Sequence, residues 1–230
     1  IAKVNVNSNP SEFKERDENR PYFDKLKVTS LRLSKILVNL SQIKESETLL
    51  DPFVGVGSIL QEAMLMVINV IWADIDKASV EGTEKNMDWI KNKHRIRTNY
   101  KIYNINNKEI DKVVKEADAV VTEPYFGPFF QKIPEYKGVE KLISEIEEIY
   151  CNLLLKLKKI IKKDGLIVFP VPLYKTTKGK VTLDFESMVE ELGFTIYSPL
   201  DSIKIPINYK IKGNIVERLI YILKNNRKET

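Results

Sequence analysis

The chain has 230 residues, a formal charge of +5 and a pI of about 9.0, with 43% apolar and 30% charged residues. That composition fits a water-soluble chain long enough for one sizeable α/β core, and the basic balance leans toward a polyanionic partner such as nucleic acid. With one cysteine (Cys151) and one histidine (His94), the chain cannot by itself build a Cys/His zinc site or a disulfide framework; no metal is expected, a reducing cytoplasm is the expected location, and no apolar run approaches the roughly 20 residues of a membrane span.

Residues 1–20, IAKVNVNSNPSEFKERDENR, are polar without sustained periodicity and read as a linker or N-terminal arm, leaving 21–230 as the folded domain. Because the chain opens on Ile1, it is expected to be a piece of a longer protein. From Ser30, LRLSKILVNL repeats apolar residues at helical spacing. TLLDPF reads as a short buried strand entering a glycine turn, SILQEAMLMVI as a helix, VIWADID as a second strand and KASVEGTEKNMDWIKNK as a second amphipathic helix. YKIYN and DAVVT are the third and fourth strands. Residues 139–163 read as a long helix ended by Asp164-Gly165, LIVFPV as a fifth strand, and LDFESMVEEL as a helix closed by Gly193. FTIYSPL and NIVERLIYIL complete a set of seven strands. Strands alternating with helices predict an α/β fold with a mostly parallel sheet covered on both faces. Ligands of such sheets sit beyond the carboxyl ends of the strands, which puts the turns DPFVGVGS, DID, NINN and EPYFGP on one rim.

DPFVGVGS places Gly55 and Gly57 where the backbone turns sharply. A phosphate-binding loop needs GxxxxGK[ST], and no lysine follows. A dinucleotide fingerprint needs a third glycine where Leu60 stands. What remains is a plain strand–helix turn or a site for a nucleoside cofactor without a pyrophosphate. S-adenosylmethionine fits the second reading, lying over a glycine turn opened by Asp51 and Phe53. Asp74, at the end of the second strand, is placed to bind ribose hydroxyls. Asp76 suits the cap of the next helix, and Ile75 between them joins the candidate cofactor set. Asn104, ending the third strand, offers an amide to an adenine edge or serves only its turn. The stretch TEPYFGP poses a choice of its own. It is an aromatic turn, or Glu123, Pro124, Tyr125 and Phe126 hold a flat, amino-bearing substrate. His94, within KNKHRIRTN, reads as a solvated surface residue, and Cys151 as packing on an apolar helix face.

Taken together, DPFVGVGS, ADID, YNINN and TEPYFGP resemble the motifs of class I S-adenosylmethionine-dependent methyltransferases that act on exocyclic amines, whose fourth motif reads Asp/Asn-Pro-Pro-Tyr/Phe. RPYF, a helix ending VNL, then LLDPF and GSILQEA are similar, over about Phe13 to Gly127, to one branch. That branch is the catalytic domain of tRNA guanine-N2 methyltransferases that carry an upstream THUMP RNA-binding domain. The chain departs from the pattern with Glu123 for aspartate, Tyr125 for the second proline, and NINN at the third motif. The resemblance implies a Rossmann-like methyltransferase fold with an antiparallel C-terminal strand and S-adenosyl-L-methionine as cofactor. It implies that Glu123 and the Pro124 carbonyl accept the amine N–H groups while Phe126 or Tyr125 stacks on an extruded base. It implies tRNA or another nucleic acid as partner, with a THUMP domain or helper subunit upstream. Alternatives are N6-adenine methylation of DNA or other RNA, and a catalytically weak cofactor-binding module in an RNA-processing assembly. A dinucleotide oxidoreductase is disfavoured by Leu60, and C5-cytosine chemistry by the distance in sequence of Cys151 from the motif. Two further loops on the rim are either nucleic-acid contacts or ordinary loops. PFFQKIPEYKG carries Phe129, Phe130 and Tyr136, and VPLYKTTKGK carries Tyr174, Lys175, Lys178 and Lys180. The lysines of KLKKIIKK read as a solvated helix face.

Overall fold

The computed structural model describes residues 10–226 and arranges them around one nine-stranded sheet. The strands are β1 (Thr48–Asp51), β2 (Asn69–Asp74), β3 (Tyr100–Asn104), β4 (Ala117–Val121), β5 (Ile161–Thr176), β6 (Gly179–Val181), β7 (Phe194–Ile196), β8 (Ile207–Tyr209) and β9 (Val216–Asn225). Their order is β3-β2-β1-β4-β5-β9-β7, with β6 added to β5 and β8 to β9. β1 to β5 are mutually parallel along that path, and β9 runs antiparallel to β5, β7 and β8. The expected seven-strand path with a reversed C-terminal strand is therefore present. The short strands β6 and β8 extend it.

The near-continuous apolar runs of the central strands follow from burial on both faces. Adjacent side chains point to opposite sides, so Leu49 and Leu50 of β1 enter different cores. On one face, α2 (Leu31–Leu40), α3 (Ser58–Leu65) and α4 (Lys77–His94) supply Leu37, Leu60 and Met87, packed with Leu49 and Trp72. On the other, α6 (Tyr136–Ile160) and α7 (Phe185–Glu191) supply Ile146, Tyr150, Leu153 and Phe185, packed with Leu50 and Phe169. A short helix, α5 (Ile110–Val113), precedes β4.

Two elements depart from the sequence reading. The helix expected over 139–163 ends at Ile160, and Ile161 already pairs with Ala117 of β4 in extended conformation. Lys162 bridges Glu116 and Asp118 at 2.9 and 2.6 Å, so a stretch that scans as helical is held as strand by its neighbour. Within the stretch expected to be an irregular arm, Pro10–Glu18 forms a helix, α1; residues 1–9 lie outside the described residues. The helix escapes apolar periodicity because arginines do its docking. Arg16 Nη2 donates to Glu62 Oε1 at 2.8 Å with both side chains almost fully buried, and Arg20 Nη1 donates to Ser58 Oγ at 3.2 Å. His94 is exposed as expected, whereas Cys151 is half-buried rather than buried.

Removing one partner of a buried ion pair strands the other charge. Arg16→Ala is expected to lower unfolding free energy by about 3 kcal/mol in urea titrations, and Arg16→Met with Glu62→Leu to recover most of that. A change below about 0.5 kcal/mol, the level of an ordinary surface substitution, would mean that α1 does not dock in solution.

Candidate active site

The carboxyl ends of β1, β2 and β4 meet at one rim, and a cleft of about 940 Å³ opens there. That is the size range of small-molecule sites. Its lining brings together Asp51, Phe53, Gly55, Asp74, Glu123, Pro124, Tyr125 and Phe126.

Asp51 closes β1 and is buried at 1% exposure. Thr122 Oγ1, just beyond β4, donates to its Oδ1 at 2.7 Å, and the Phe53 N–H donates to the same oxygen at 3.1 Å. Burial outweighs these bonds, and the Asp74 and Glu123 charges add to it, so the Asp51 carboxyl is pushed up to about 7. Gly55 has φ +56°, and a Cβ there would stand 2.5 Å from the Lys27 carbonyl oxygen, so the turn needs glycine to pass beneath the segment before α2. The Gly55 N–H donates to Asp74 Oδ2 at 3.3 Å and the Asp76 N–H to Asp74 Oδ1 at 2.9 Å. Asp74 is thereby fixed between the glycine turn and the start of α4, and burial raises its pKa despite those bonds.

Three predicted residues stand outside the lining. Gly57 has φ +79° and opens α3; a Cβ there would meet Thr83 Cγ2 of α4 at 2.7 Å, so this glycine serves helix packing. Ile75 is exposed. Asn104 Nδ2 donates to the carbonyls of Asp74 and Ile75 at 3.0 and 3.1 Å, tying β3 to β2. Asp76 caps α4 as expected, accepting from Ala78 and Ser79 N–H groups, and its hydrogen bond from Lys27 holds its pKa down at about 2.

Beyond β4, the backbone of the TEPYFGP segment is held from below. The Tyr150 hydroxyl donates to the Tyr125 carbonyl at 2.9 Å, and the Tyr174 hydroxyl to the Phe126 carbonyl at 2.8 Å. Glu123 Oε1 is ion-paired with Arg218 Nε of β9, and its Oε2 accepts from Thr29 Oγ1. The Arg218 guanidinium also lies over the Phe126 ring, 5.7 Å from its centroid. Sequence reasoning missed Lys27, Thr29 and Arg218, all of which line the cleft. Lys27 and Thr29 lie in a stretch without a motif of its own, and nothing in the spacing connects Glu123 to a residue 95 positions away.

The rim loops divide. Phe129 is 75% exposed at the cleft mouth, while Phe130 packs on the core edge-to-face with Tyr174. Tyr174 is fully buried rather than a surface aromatic. Lys175 and Lys180 pair with buried Glu217 at 3.6 and 2.9 Å. Lys178 sits over the Tyr136 ring.

Residues 25–178 match the family described as RMKL-like, methyltransferase domain. The chain belongs to this family. This RMKL-like methyltransferase domain is 32% identical over 176 residues to the tRNA (guanine(10)-N2)-dimethyltransferase of Methanothermobacter thermautotrophicus, covering 76% of this chain and 45% of that one. It is 34% identical over 191 residues to the enzyme of the same name from Methanocaldococcus jannaschii, covering 78% of this chain and 48% of that one. It thus spans about half the length of these relatives. The fold is shared with TrmN from Thermus thermophilus, with a TM-score of 0.59 at 14% identity over 86% of this chain and 49% of that one.

The raised Asp51 carboxyl has a consequence for stability. Between its ordinary value of 3.8 and about 7, the folded RMKL-like domain keeps a proton that the unfolded chain has lost. Its contribution to stability therefore falls as pH rises through that interval and levels off above it. Urea midpoints of the ligand-free protein are expected to carry this loss between about pH 4 and pH 7, the interval between the ordinary and the raised carboxyl. Asp51→Asn is expected to flatten the slope; an unchanged slope would show that Asp51 titrates normally.

Proposed function

We propose that this domain transfers the methyl group of S-adenosylmethionine to an exocyclic amino group of a nucleic-acid base, with guanine N2 in tRNA as the substrate. The observation that carries the reading is the convergence of Glu123, backed by its aromatic neighbours, with Asp51, Gly55 and Asp74 in one cleft. The names of the relatives support the choice of substrate. Asp51, which meets hydroxyl and backbone donors but no cation, suits the positive end of a ligand, and the bare backbone at Gly55 lets it approach closely. Asp74 has oxygens for ribose hydroxyls, and Asp51 a carboxyl for the ammonium end. When bound, S-adenosylmethionine supplies an electrophilic methyl carbon on its sulfonium.

The chain's own residues then position the nucleophile. An exocyclic amine is weak because its lone pair is delocalised into the ring. Glu123 and the Pro124 carbonyl accept its N–H groups, turn the lone pair outward, and stabilise positive charge as it develops. The base must leave its stack to enter, and Tyr125 and Phe126 offer aromatic faces to receive it, at about 1–3 kcal/mol per stacked base. No strong general base is required, which accords with His94 being exposed on α4.

The domain is small for gripping a folded tRNA, so the proposal includes an RNA-binding domain of the THUMP kind in the longer protein. Among the described residues no helix is long and apolar enough to cross a membrane. A cytoplasmic site of action belongs to the same proposal.

Glu123→Ala is expected to leave cofactor affinity by calorimetry nearly intact and to reduce methyl transfer about 100-fold or more, since one acceptor in a dry site is worth roughly 3 kcal/mol. Asp74→Ala is expected to weaken cofactor binding itself. Full activity in the Glu123 variant would reduce TEPYFGP to a structural turn, and NADH displacing the methyl donor would end the methyltransferase reading. Fusing an upstream RNA-binding domain is expected to raise transfer to tRNA at fixed salt while cofactor affinity stays the same. Equal transfer by both forms would show that the rim loops grip RNA unaided.

A further inference from the structure

The ion pair at Glu123 is an unusual way to hold an acceptor, because it occupies both carboxylate oxygens before any ligand arrives. Arg218 Nε takes Oε1 and Thr29 Oγ1 takes Oε2. The two partners come from opposite ends of the chain, Thr29 beside the Ser30 cap of α2 and Arg218 from β9. Both ionic side chains are largely buried, at 18% exposure for Arg218 and 12% for Glu123. Glu123 nonetheless lines the cleft.

A carboxylate has about four lone-pair sites, two on each oxygen, and no donor. One site on each oxygen is taken. What remains for a ligand is one acceptor on each oxygen, side by side, with the group's rotation fixed from two directions. We propose that Arg218 and Thr29 are positioning residues that make Glu123 a reader of base edges carrying two adjacent N–H donors. The inference rests on the methyl-transfer reading above and deepens it.

The chemistry of the bases supplies the consequence. Guanine presents its ring N1–H beside the 2-amino N–H, two donors in a row. Adenine presents its 6-amino group beside the N1 lone pair, and cytosine its 4-amino group beside the N3 lone pair. Against a fixed pair of acceptors, each of those rings sets a lone pair against a carboxylate oxygen, and a buried acceptor is left without a donor. A freely rotating carboxylate would make that distinction less sharply, because it can turn one oxygen away from the ring lone pair, and an amide would not make it at all, because it can meet a donor–acceptor edge. The Arg218 guanidinium over Phe126 adds a second constraint, holding that ring in place beside the motif.

2-Aminopurine separates the two donors, since it keeps the 2-amino group of guanine and lacks the N1–H. The experiment uses the 230-residue chain and tRNA carrying guanine or 2-aminopurine at the methylated position, with kcat and KM measured for each. The wild-type protein is expected to prefer guanine by about 100-fold or more in kcat/KM, given the discrimination of sites that bond a particular substrate N–H. Glu123→Gln replaces one acceptor with a donor and is expected to collapse or invert that ratio, whatever its absolute rate. Arg218→Ala is expected to lower kcat on guanine, leave the cofactor KM within about twofold, and narrow the ratio, with Arg218→Lys restoring part of it. A purely structural role for Arg218 would depress both substrates equally. Wild-type methylation of guanine N2 with a ratio near one would overturn this inference alone. An unchanged ratio in the Glu123→Gln and Arg218→Ala variants would also overturn it. No transfer to any base, by the chain alone or fused to an upstream RNA-binding domain, would overturn the methyl-transfer reading and this inference with it.

Discussion

Parallel pairing of β1 with β2 on one side and β4 on the other determines where every functional group can stand. β1 matches Leu50 to Ile71 of β2 and to Val120 of β4, so β1 and β4 end level with each other and β2 runs two residues past them to Asp74, at the same edge of the sheet. The chain leaves them in turns that all face the same side. Connections run outward from β1 in both directions, which opens a crevice between the turns. Asp51, Asp74 and Glu123 are the residues at or just past those three ends. The hydrogen bond from Thr122 to Asp51 joins the turn after β4 to the end of β1 directly. A rim assembled this way gathers negative charge in a partly dry place, and the raised carboxyl of Asp51 is its signature.

That concentration of carboxylates needs compensation, and the chain supplies it from distant segments. Lys27 answers Asp76 and Arg218 answers Glu123. Asp51 has no such cation and meets hydroxyl and backbone donors instead. The difference matters for function. A carboxyl left without a cation is free to answer a charged ligand, whereas one clamped by a guanidinium is fixed as a hydrogen-bond acceptor. The two ends of the cleft thus differ in kind, and under the proposed function one would take a cationic cofactor and the other the edge of a base. Tyr150 and Tyr174 hold the carbonyls of Tyr125 and Phe126 from within the core, which makes the motif backbone rigid where positioning is most exacting.

The sheet and its rim were legible because each strand and its following turn are contiguous in the chain. TLLD followed by PFVGVGS, and DAVV followed by TEPYFGP, carry hydrophobic run and punctuation together. Functions that depend on distant partners were hidden. Thr29 lies 94 positions from Glu123 and Arg218 lies 95, and neither has local context that marks it. Gly57 was found as a glycine, but its constraint comes from Thr83 of the next helix rather than from a ligand. α1 was invisible because its buried contact is made by Arg16, with Arg20 just past its end, and any hydrophobicity reading assigns both to the surface. The end of α6 was misplaced because pairing with β4 overrides helical periodicity at Ile161.

The claim on which the account turns is that the cleft brings a base's amino group, and no other kind of group, to a methyl donor. The most direct measurement incubates the protein with S-adenosylmethionine labelled at its methyl group and unmodified tRNA, digests the product to nucleosides, and identifies the labelled one. The account predicts label in N2-methylguanosine. Label in N6-methyladenosine, on a ring carbon, or in no nucleoside under conditions where the cofactor binds would contradict it.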